Sequence, residues 1–252
     1  MVRERDLVGR DGGFIAEGLV VLEKLIRAGR HPIRSVLVAE KRTEALAPLL
    51  AELPPGVAVY SAGQAVLDAV VGFPIHRGIL AAGTRAEPDL ATVLAGLPEA
   101  ALVVVLVGIA NHYNMGGLFR NSAAFGADAV LLDEGCCDPL YRKAIRVSVG
   151  AALTTPFARA GDAGGLADQL KALGFSVVAL SPHGRTRLTD LKPAARTAVL
   201  FGSEGPGLPD SVMAGAVTVR IEMAGGFDSL NVATASGVVL HHLVSRASIT
   251  AV

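Results

Sequence analysis

Tryptophan is absent from this chain of 252 residues, aromatic residues of all kinds make up only 4%, and cysteine occurs twice. The two cysteines, Cys136 and Cys137, are adjacent. Neighbouring cysteines rarely bridge each other, and two alone cannot build a metal-ligand set, so they read as reduced structural thiols and no metal is expected. Net charge is also missing: 23 basic residues balance 23 acidic ones. The overall basic footprint typical of nucleic-acid binders is therefore absent, although a neutral sum can hide a polarised surface. The longest apolar run, 101–107, is too short to cross a bilayer. The opening MVRERDLVGRDGG has no apolar stretch of the kind a secretory signal needs. These absences lead to the expectation of a cytoplasmic protein with no membrane partner. His241 and His242 do not change the metal expectation, because adjacent helical positions face about 100° apart and cannot chelate one ion.

What is present is a core. Hydrophobic residues make up 51%, mostly Ala, Val and Leu, enough for one large domain or two small ones. Basic residues cluster locally at Arg3, Arg5 and Arg10, at Arg27, Arg30, His31 and Arg34, at Lys41 and Arg42, and at Arg142, Lys143 and Arg146. Each cluster is either a solvated face or a phosphate-binding patch.

The first 83 residues carry a compact α/β pattern. Ile15, Leu19, Leu22, Leu25 and Ile26 recur at helical spacing and predict a helix over 14–28, closed by Gly29. A strand is expected at 33–38, a helix at 43–53 with Thr43 as N-cap, a strand at 57–60, a helix at 64–70 and a closing strand at 79–82. The polar, Gly- and Pro-bearing stretch over 84–98 reads as a linker. From residue 99 onward strands alternate with helices. ALVVVLV at 101–107 has the continuous apolar character of a parallel strand buried on both faces. Further strands are expected at 129–132, 176–180, 197–201 and 216–221, and helices at 141–147, 164–173 and 229–245. This order predicts an α/β fold with a mainly parallel sheet and helices on both faces.

Three polar, glycine-bearing segments each follow an apolar strand, where open α/β sheets place their ligands. The first is NHYNMGGLFRNSAAFGADAVLL (111–132), the second VLFGSEGPGL (199–208) and the third IEMAGGFDSLNVATA (221–235). In the first, Asn114 can cap a helix, and Arg120, nearly two turns on, can face the same mouth. A helix cap, close packing at glycine and a surface arginine would also explain those residues. In the second, the G-x-x-G-x-G spacing of Gly202, Gly205 and Gly207 is not the dinucleotide fingerprint, and Ser203 lacks the glycine of a nucleophile elbow. A tight turn accounts for the glycines but not for Glu204. In the third, Ser229 can cap the following helix and Asn231 falls in its first turn. Together they describe a polar pocket rimmed by backbone, with Arg and Glu but no nucleophile–base pair. It suits the binding and orientation of a charged small molecule.

The order and internal residues of these segments resemble the three motifs of the SpoU/TrmH family of RNA ribose 2′-O-methyltransferases. Asn114, Gly116 and Arg120 match the first motif, FGSEGPGL the second, and I-x-M-x-G followed by SLNVA the third; Arg146, Ser148 and Gly150 match an intervening Arg-x-Ser-x-Gly. The similarity covers nearly all of 101–245. More weakly, GGFIAEGLVVLEKLI and DAVVGFPIHRGILA resemble the small α/β RNA-binding domain that precedes many of these enzymes.

The resemblance implies a substrate-binding domain over 1–83, a linker over 84–98 and a trefoil-knotted methyltransferase domain over 99–252. It also implies a homodimer and S-adenosyl-L-methionine as methyl donor. Carried over, the catalytic residues are Arg120, Asn114, Glu204, Ser229 and Asn231. Cofactor contacts fall on Gly202, Ser203, Ile221, Ser229 and Leu230. The basic residues Arg30, Arg34, Arg42 and Arg146 are the candidate RNA contacts. The implied reaction is an in-line attack of the ribose 2′-oxygen on the sulfonium methyl, with Arg120 assisting deprotonation or stabilising the developing alkoxide. A guanidinium stays protonated in nearly any protein site, which favours the second role. His112, Asn121–Ser122 and Glu222 depart from the family pattern without removing a carried-over residue. The RNA expected is ribosomal, with transfer RNA next. A non-catalytic RNA-binding or assembly protein of the same fold, and a nucleotide-dependent enzyme of ordinary doubly wound fold, are the competing readings.

Overall fold

The computed structural model describes residues 12–72, 74, 76–225 and 229–250, with side chains through residue 245. Arg3, Arg5 and Arg10, Phe73 and Ile75, and Gly226, Phe227 and Asp228 of the third segment's turn lie outside the described residues. The chain divides into two compact units, Met1–Ala86 with Asp138–Thr154, and Glu87–Cys137 with Thr155–Val252. The boundaries expected from the sequence put 138–154 with the second domain; by its contacts this stretch belongs to the first unit.

The first unit opens with β1 (Gly13–Glu17) and α1 (Leu19–Ala28). The helix expected from residue 14 is thus shorter and preceded by a strand. Gly18, at φ 96°, makes the break, and Phe14 packs its ring over Gly83, where a Cβ would overlap it. Gly29, at φ 60°, ends α1 as expected. β2 (Ile33–Ala39), α2 (Thr43–Leu50), β3 (Ala58–Ala62), α3 (Gln64–Val71) and β4 (Ile79–Thr84) follow. Thr43 does not cap α2; its hydroxyl is hydrogen-bonded to that of Ser61 at 3.0 Å, and Arg42 occupies the cap position. The four strands form one sheet in the order β1-β4-β2-β3, antiparallel except for β2 and β3.

In the second unit the expected linker contains α4 (Leu90–Ala95), capped by the Asp89 carboxylate, which accepts from the Thr92 N–H at 2.7 Å. Leu90, Val93 and Leu94 lie one turn apart and pack on the core, so helical spacing was present in a stretch whose flanks are polar. Then come β5 (Ala101–Leu106), α5 (His112–Ala124) and β6 (Ala129–Leu132). Two short helices of the first unit, α6 (Arg142–Val147) and α7 (Ala151–Thr154), interrupt. The second unit resumes with β7 (Phe157–Arg159), α8 (Ala163–Ala172), β8 (Ser176–Leu180), β9 (Thr186–Arg187) and β10 (Arg196–Phe201). It ends with α9 (Asp210–Met213), β11 (Val217–Arg220) and α10 (Val232–Thr250).

The seven strands of this unit run β7-β6-β5-β10-β8-β11-β9, and every neighbouring pair is parallel. Val103, Val104, Val105 and Leu106 of β5 and Ala198 to Phe201 of β10 are all 0% exposed. That is why both strands read as unbroken apolar runs: a central parallel strand has a buried environment on each face. Because all strands point the same way, their C-terminal ends share one edge. β5 and β10 are neighbours there, and β11 is one strand further on, across β8.

Candidate active site

The three glycine-bearing segments leave that shared edge from β5, β10 and β11. The first helix starts earlier than expected. α5 begins at His112, and Asn111 caps it, its side-chain oxygen accepting from the Tyr113 N–H at 2.8 Å. Asn114 is therefore inside the first turn, buried, and free to use its side chain elsewhere. The last helix starts later than expected, at Val232. Asn231, not Ser229, is its cap: Asn231 Oδ1 accepts from Ala233 N–H at 3.0 Å and Thr234 N–H at 3.3 Å.

These corrections explain how the three segments are joined. With its oxygen committed to the helix end, Asn231 donates from Nδ2 to Asn114 Oδ1 at 2.8 Å and to Glu204 Oε1 at 2.9 Å. One side chain thus ties the first, second and third segments and caps α10. α5 and α10 approach closely enough for this because Gly117 has no Cβ; one placed there would lie 2.6 Å from Ala233 Cβ. Two turns beyond Asn114, Asn121 Nδ2 donates to Ala233 O at 2.6 Å and Ser236 Oγ at 2.9 Å. The departure at Asn121 is therefore a second tie between the helices.

The second segment forms a tight turn. Ser203 and Gly207 make an antiparallel bridge, with Gly205 at φ 90° and Gly207 at φ 69°, conformations that favour glycine. Gly202 is required for a different reason. A Cβ there would lie 2.6 Å from both Gly207 O and Leu208 N, a backbone contact no side chain can make.

Around this turn is a cleft of about 730 Å³, walled by the cofactor candidates of the second and third segments: Gly202, Ser203, Ile221, Ser229 and Leu230. Of the candidate catalytic residues, Glu204, Ser229 and Asn231 line it. Asn114 stands behind the wall, bonded to Asn231. Arg120 lies on the exposed side of α5, outside the wall, with no ion pair or hydrogen bond among the described residues. Leu180 at the end of β8, Ser181, Pro182 and His183 after it, and Asp210 and Met213 of α9 also line the cleft. The β8-end residues were missed because β8 is followed by no motif; only the strand order shows that its end lies between those of β10 and β11.

The loop after β5 is held by Cys136. Its thiol donates to Leu106 O at 3.3 Å and accepts from Ile109 N–H at 3.4 Å. Burial pushes this thiol up to about 12, so it stays protonated. Both cysteines are free. Among the described residues, no group of three or more His, Cys, Asp or Glu could hold a metal ion, and no helix is long and apolar enough to cross a membrane.

The four basic residues singled out as RNA contacts all belong to the first unit, but they are not one patch. Arg30 and Arg34 stand at the start of β2 and Arg42 beyond its end, with Arg34 Nε donating to Thr84 Oγ1 at 2.6 Å. Arg146 is exposed in the last turn of α6.

Residues 101–241 match the model of the SpoU rRNA Methylase family, which spans the whole glycine-lined edge. The chain belongs to the SpoU family of RNA methyltransferases. A tRNA/rRNA methyltransferase of Mycobacterium bovis, itself uncharacterised, is 40% identical over 245 residues, covering 95% of this chain and 83% of that protein. The 23S rRNA (guanosine-2′-O-)-methyltransferase RlmB of Photobacterium profundum is 30% identical, covering 86% of this chain and 92% of its own length. The fold is that of the SpoU methyltransferase AviRb from Streptomyces viridochromogenes, solved with AdoMet, at a TM-score of 0.85 and 23% identity over 99% of this chain and 96% of that one.

Proposed function

We propose that this SpoU-family protein methylates the 2′-hydroxyl of a ribose in ribosomal RNA, in the cytoplasm, with S-adenosylmethionine as methyl donor. The observation that carries the reading is the junction at the cleft rim, where Asn231 joins Asn114 and Glu204 beside a glycine-floored cavity. The RlmB relative acts on a guanosine 2′-oxygen of 23S rRNA, which favours ribose over base and ribosomal over transfer RNA.

The cleft fits the donor. Its volume of about 730 Å³ lies within the range that encloses a small ligand. Leu180, Leu208, Met213, Ile221 and Leu230 offer apolar surface to a flat base, and Glu204 and Asp210 offer carboxylates to cationic groups such as a sulfonium or ammonium. The backbone of Gly202, Ser203, Ile221, Ser229 and Leu230 would hold it. When bound, S-adenosylmethionine supplies an electrophilic methyl group.

The chain's own task is then positioning and charge stabilisation. Asn231 fixes the direction of Glu204 and keeps it from turning into water. Arg120, exposed and unpaired, is available to take a substrate phosphate and to stabilise negative charge growing on the 2′-oxygen. We further propose that the 1–83 region binds RNA and that the chain acts as a homodimer with a knotted C-terminal domain. Tyr113 of α5 and Val238 and Val244 of α10, exposed at 54%, 42% and 36%, support the dimer. The late strand β10, set between β5 and β8, supports threading of the C-terminal chain.

The test is transfer of a labelled methyl group from S-adenosylmethionine to ribosomal and transfer RNA from cells lacking the protein, followed by ribose-methylation mapping. Label at a ribose of ribosomal RNA is expected. Label on a base would refute 2′-O transfer, and label confined to transfer RNA would refute the substrate.

A further inference from the structure

A second groove, of about 620 Å³, runs along the outer face of α1 in the first unit, walled by Val20, Glu23, Lys24, Arg27, Arg30 and Thr154. Lys24 and Arg27 are one turn apart on the helix, and Arg30 follows immediately after the Gly29 cap. The stem of Lys24 crosses Gly150, where a Cβ would be 3.2 Å from Lys24 Cδ. Gly150 closes the turn that begins at Arg146, whose carbonyl accepts from the Val149 N–H at 3.1 Å. The stem of Lys24 thus lies against the segment that carries Arg146, although Arg146 is not itself a wall residue of the groove.

That segment is built rigidly. Ser148 is fully buried; its hydroxyl donates to Ile145 O at 3.0 Å and accepts from Ala152 N–H at 3.2 Å, joining the end of α6 to the start of α7. Val149 has φ 53°, the only non-glycine residue with positive φ among the described residues. A β-branched side chain there is strained by about 1–3 kcal/mol, a cost that persists only where surrounding contacts impose it. The result is a fixed turn with Arg146 exposed on it.

The charges have no partners to match. Two other arginines of this unit are paired: Arg142 donates to Glu17 at 2.8 Å, and Arg85 pairs with Asp138. Lys24, Arg30 and Arg146 make no ion pair or hydrogen bond among the described residues. Arg30 is half-buried, and burial pulls its pKa below the ordinary guanidinium value. A partly desolvated cation without a counter-ion is costly unless an anion arrives from outside. Arg27 meets Glu52 at 3.3 Å in an exposed pair of small worth, and Glu23 is the groove's one acidic wall residue.

We propose that the α1 groove, with Lys24, Arg30 and Arg146, grips the phosphate backbone of the substrate RNA. This rests on the RNA-methyltransferase reading above. It regroups the basic residues by their place in the fold, combining Arg30 and Arg146 with Lys24 and leaving Arg34 and Arg42 outside the site.

The experiment uses the full chain carrying Lys24→Gln, Arg30→Gln and Arg146→Gln, which keeps most of each stem in place. The probe is unmethylated ribosomal RNA from cells lacking the protein, with affinity measured across a salt series and KM and kcat determined in parallel. A comparison variant removes three exposed charges elsewhere, by Lys41→Ala, Arg77→Ala and Lys192→Ala. Each lost phosphate contact lowers the slope of log K against log salt by about 0.7–0.9. The groove variant should lose about two units of slope and raise KM for RNA at least tenfold, with kcat at saturating RNA within about twofold. Unchanged slope and KM would overturn the proposal, and so would an equal loss in the comparison variant. A wild-type protein that neither binds nor methylates RNA would instead overturn the underlying function.

Discussion

Replacing Asn231 by Asp isolates the junction at the cleft rim. Asp and Asn are about equally good helix caps, so α10 should keep its N-terminus. A carboxylate there even gains about 0.3–1 kcal/mol from the helix dipole. What changes is the other end of the side chain: a donor becomes an acceptor. The hydrogen bonds to Asn114 Oδ1 and Glu204 Oε1, at 2.8 and 2.9 Å, are both lost, each worth about 1 kcal/mol net. Two carboxylates then face each other. Even at the dielectric of water, unit charges at 2.9 Å repel by about 1.4 kcal/mol. Glu204 is exposed and can swing away, so most of that repulsion is relieved by losing its orientation. The expected cost is about 1–3 kcal/mol after the cap's gain, a fall in Tm of several degrees at about 2–4 °C per kcal/mol. Methyl transfer should fall at least tenfold, because Glu204 no longer points into the cleft. Thermal unfolding by circular dichroism, calorimetry with S-adenosylmethionine and a transfer assay measure the three effects. Adding Glu204→Gln supplies a donor to the new carboxylate and should restore much of the stability without the activity. An Asn231→Asp protein with wild-type transfer would show that the junction positions nothing.

Arg120→Ala should cost about 3–4 kcal/mol of transition-state stabilisation while leaving cofactor affinity near wild type, since Arg120 lies outside the cleft wall; undiminished turnover would remove it from the chemistry. Gly202→Ala should abolish cofactor binding in calorimetry, because its Cβ would strike the backbone at Gly207 and Leu208; a variant that binds normally would show that the turn can yield. His31 gives a pH dependence. It is buried, its Nδ1 accepts from the Ala86 N–H at 3.1 Å, and its Nε2 has no partner among the described residues. Burial, helped by Arg30 and Arg85, lowers its pKa from 6.5 to about 4. The unfolded chain therefore takes up the proton first as pH falls. The stability is complete above pH 6.5 and is lost progressively towards pH 4, by up to about 3 kcal/mol. Urea unfolding at both pH values should show a flatter dependence in His31→Gln, and equal slopes would refute the assignment.

The sequence alone determined the central strands and longer helices of the second unit and the family of the chain, but not the short elements α4, β7, β9 and α9. Central parallel strands such as 101–106 and 196–201 are buried on both faces, so their composition betrays them without any knowledge of their neighbours. The glycines of the second segment were legible for a similar reason: positive φ and backbone contact are local demands that only glycine meets. Where local signals competed, the reading slipped. Phe14 and Ile15 fit a helical stripe, and only pairing with β4 turns them into a strand. Ser229 and Asn231 are both good caps, and the choice of Asn231 depends on Asn114 and Glu204, which are 117 and 27 residues away. The tertiary structure also decided what lies beside what. It brought the motif-free end of β8 into the cleft and put 138–154 with the first unit. Strand order and side-chain partnership are long-range properties, set by the packing of the whole sheet, and no single segment carries them.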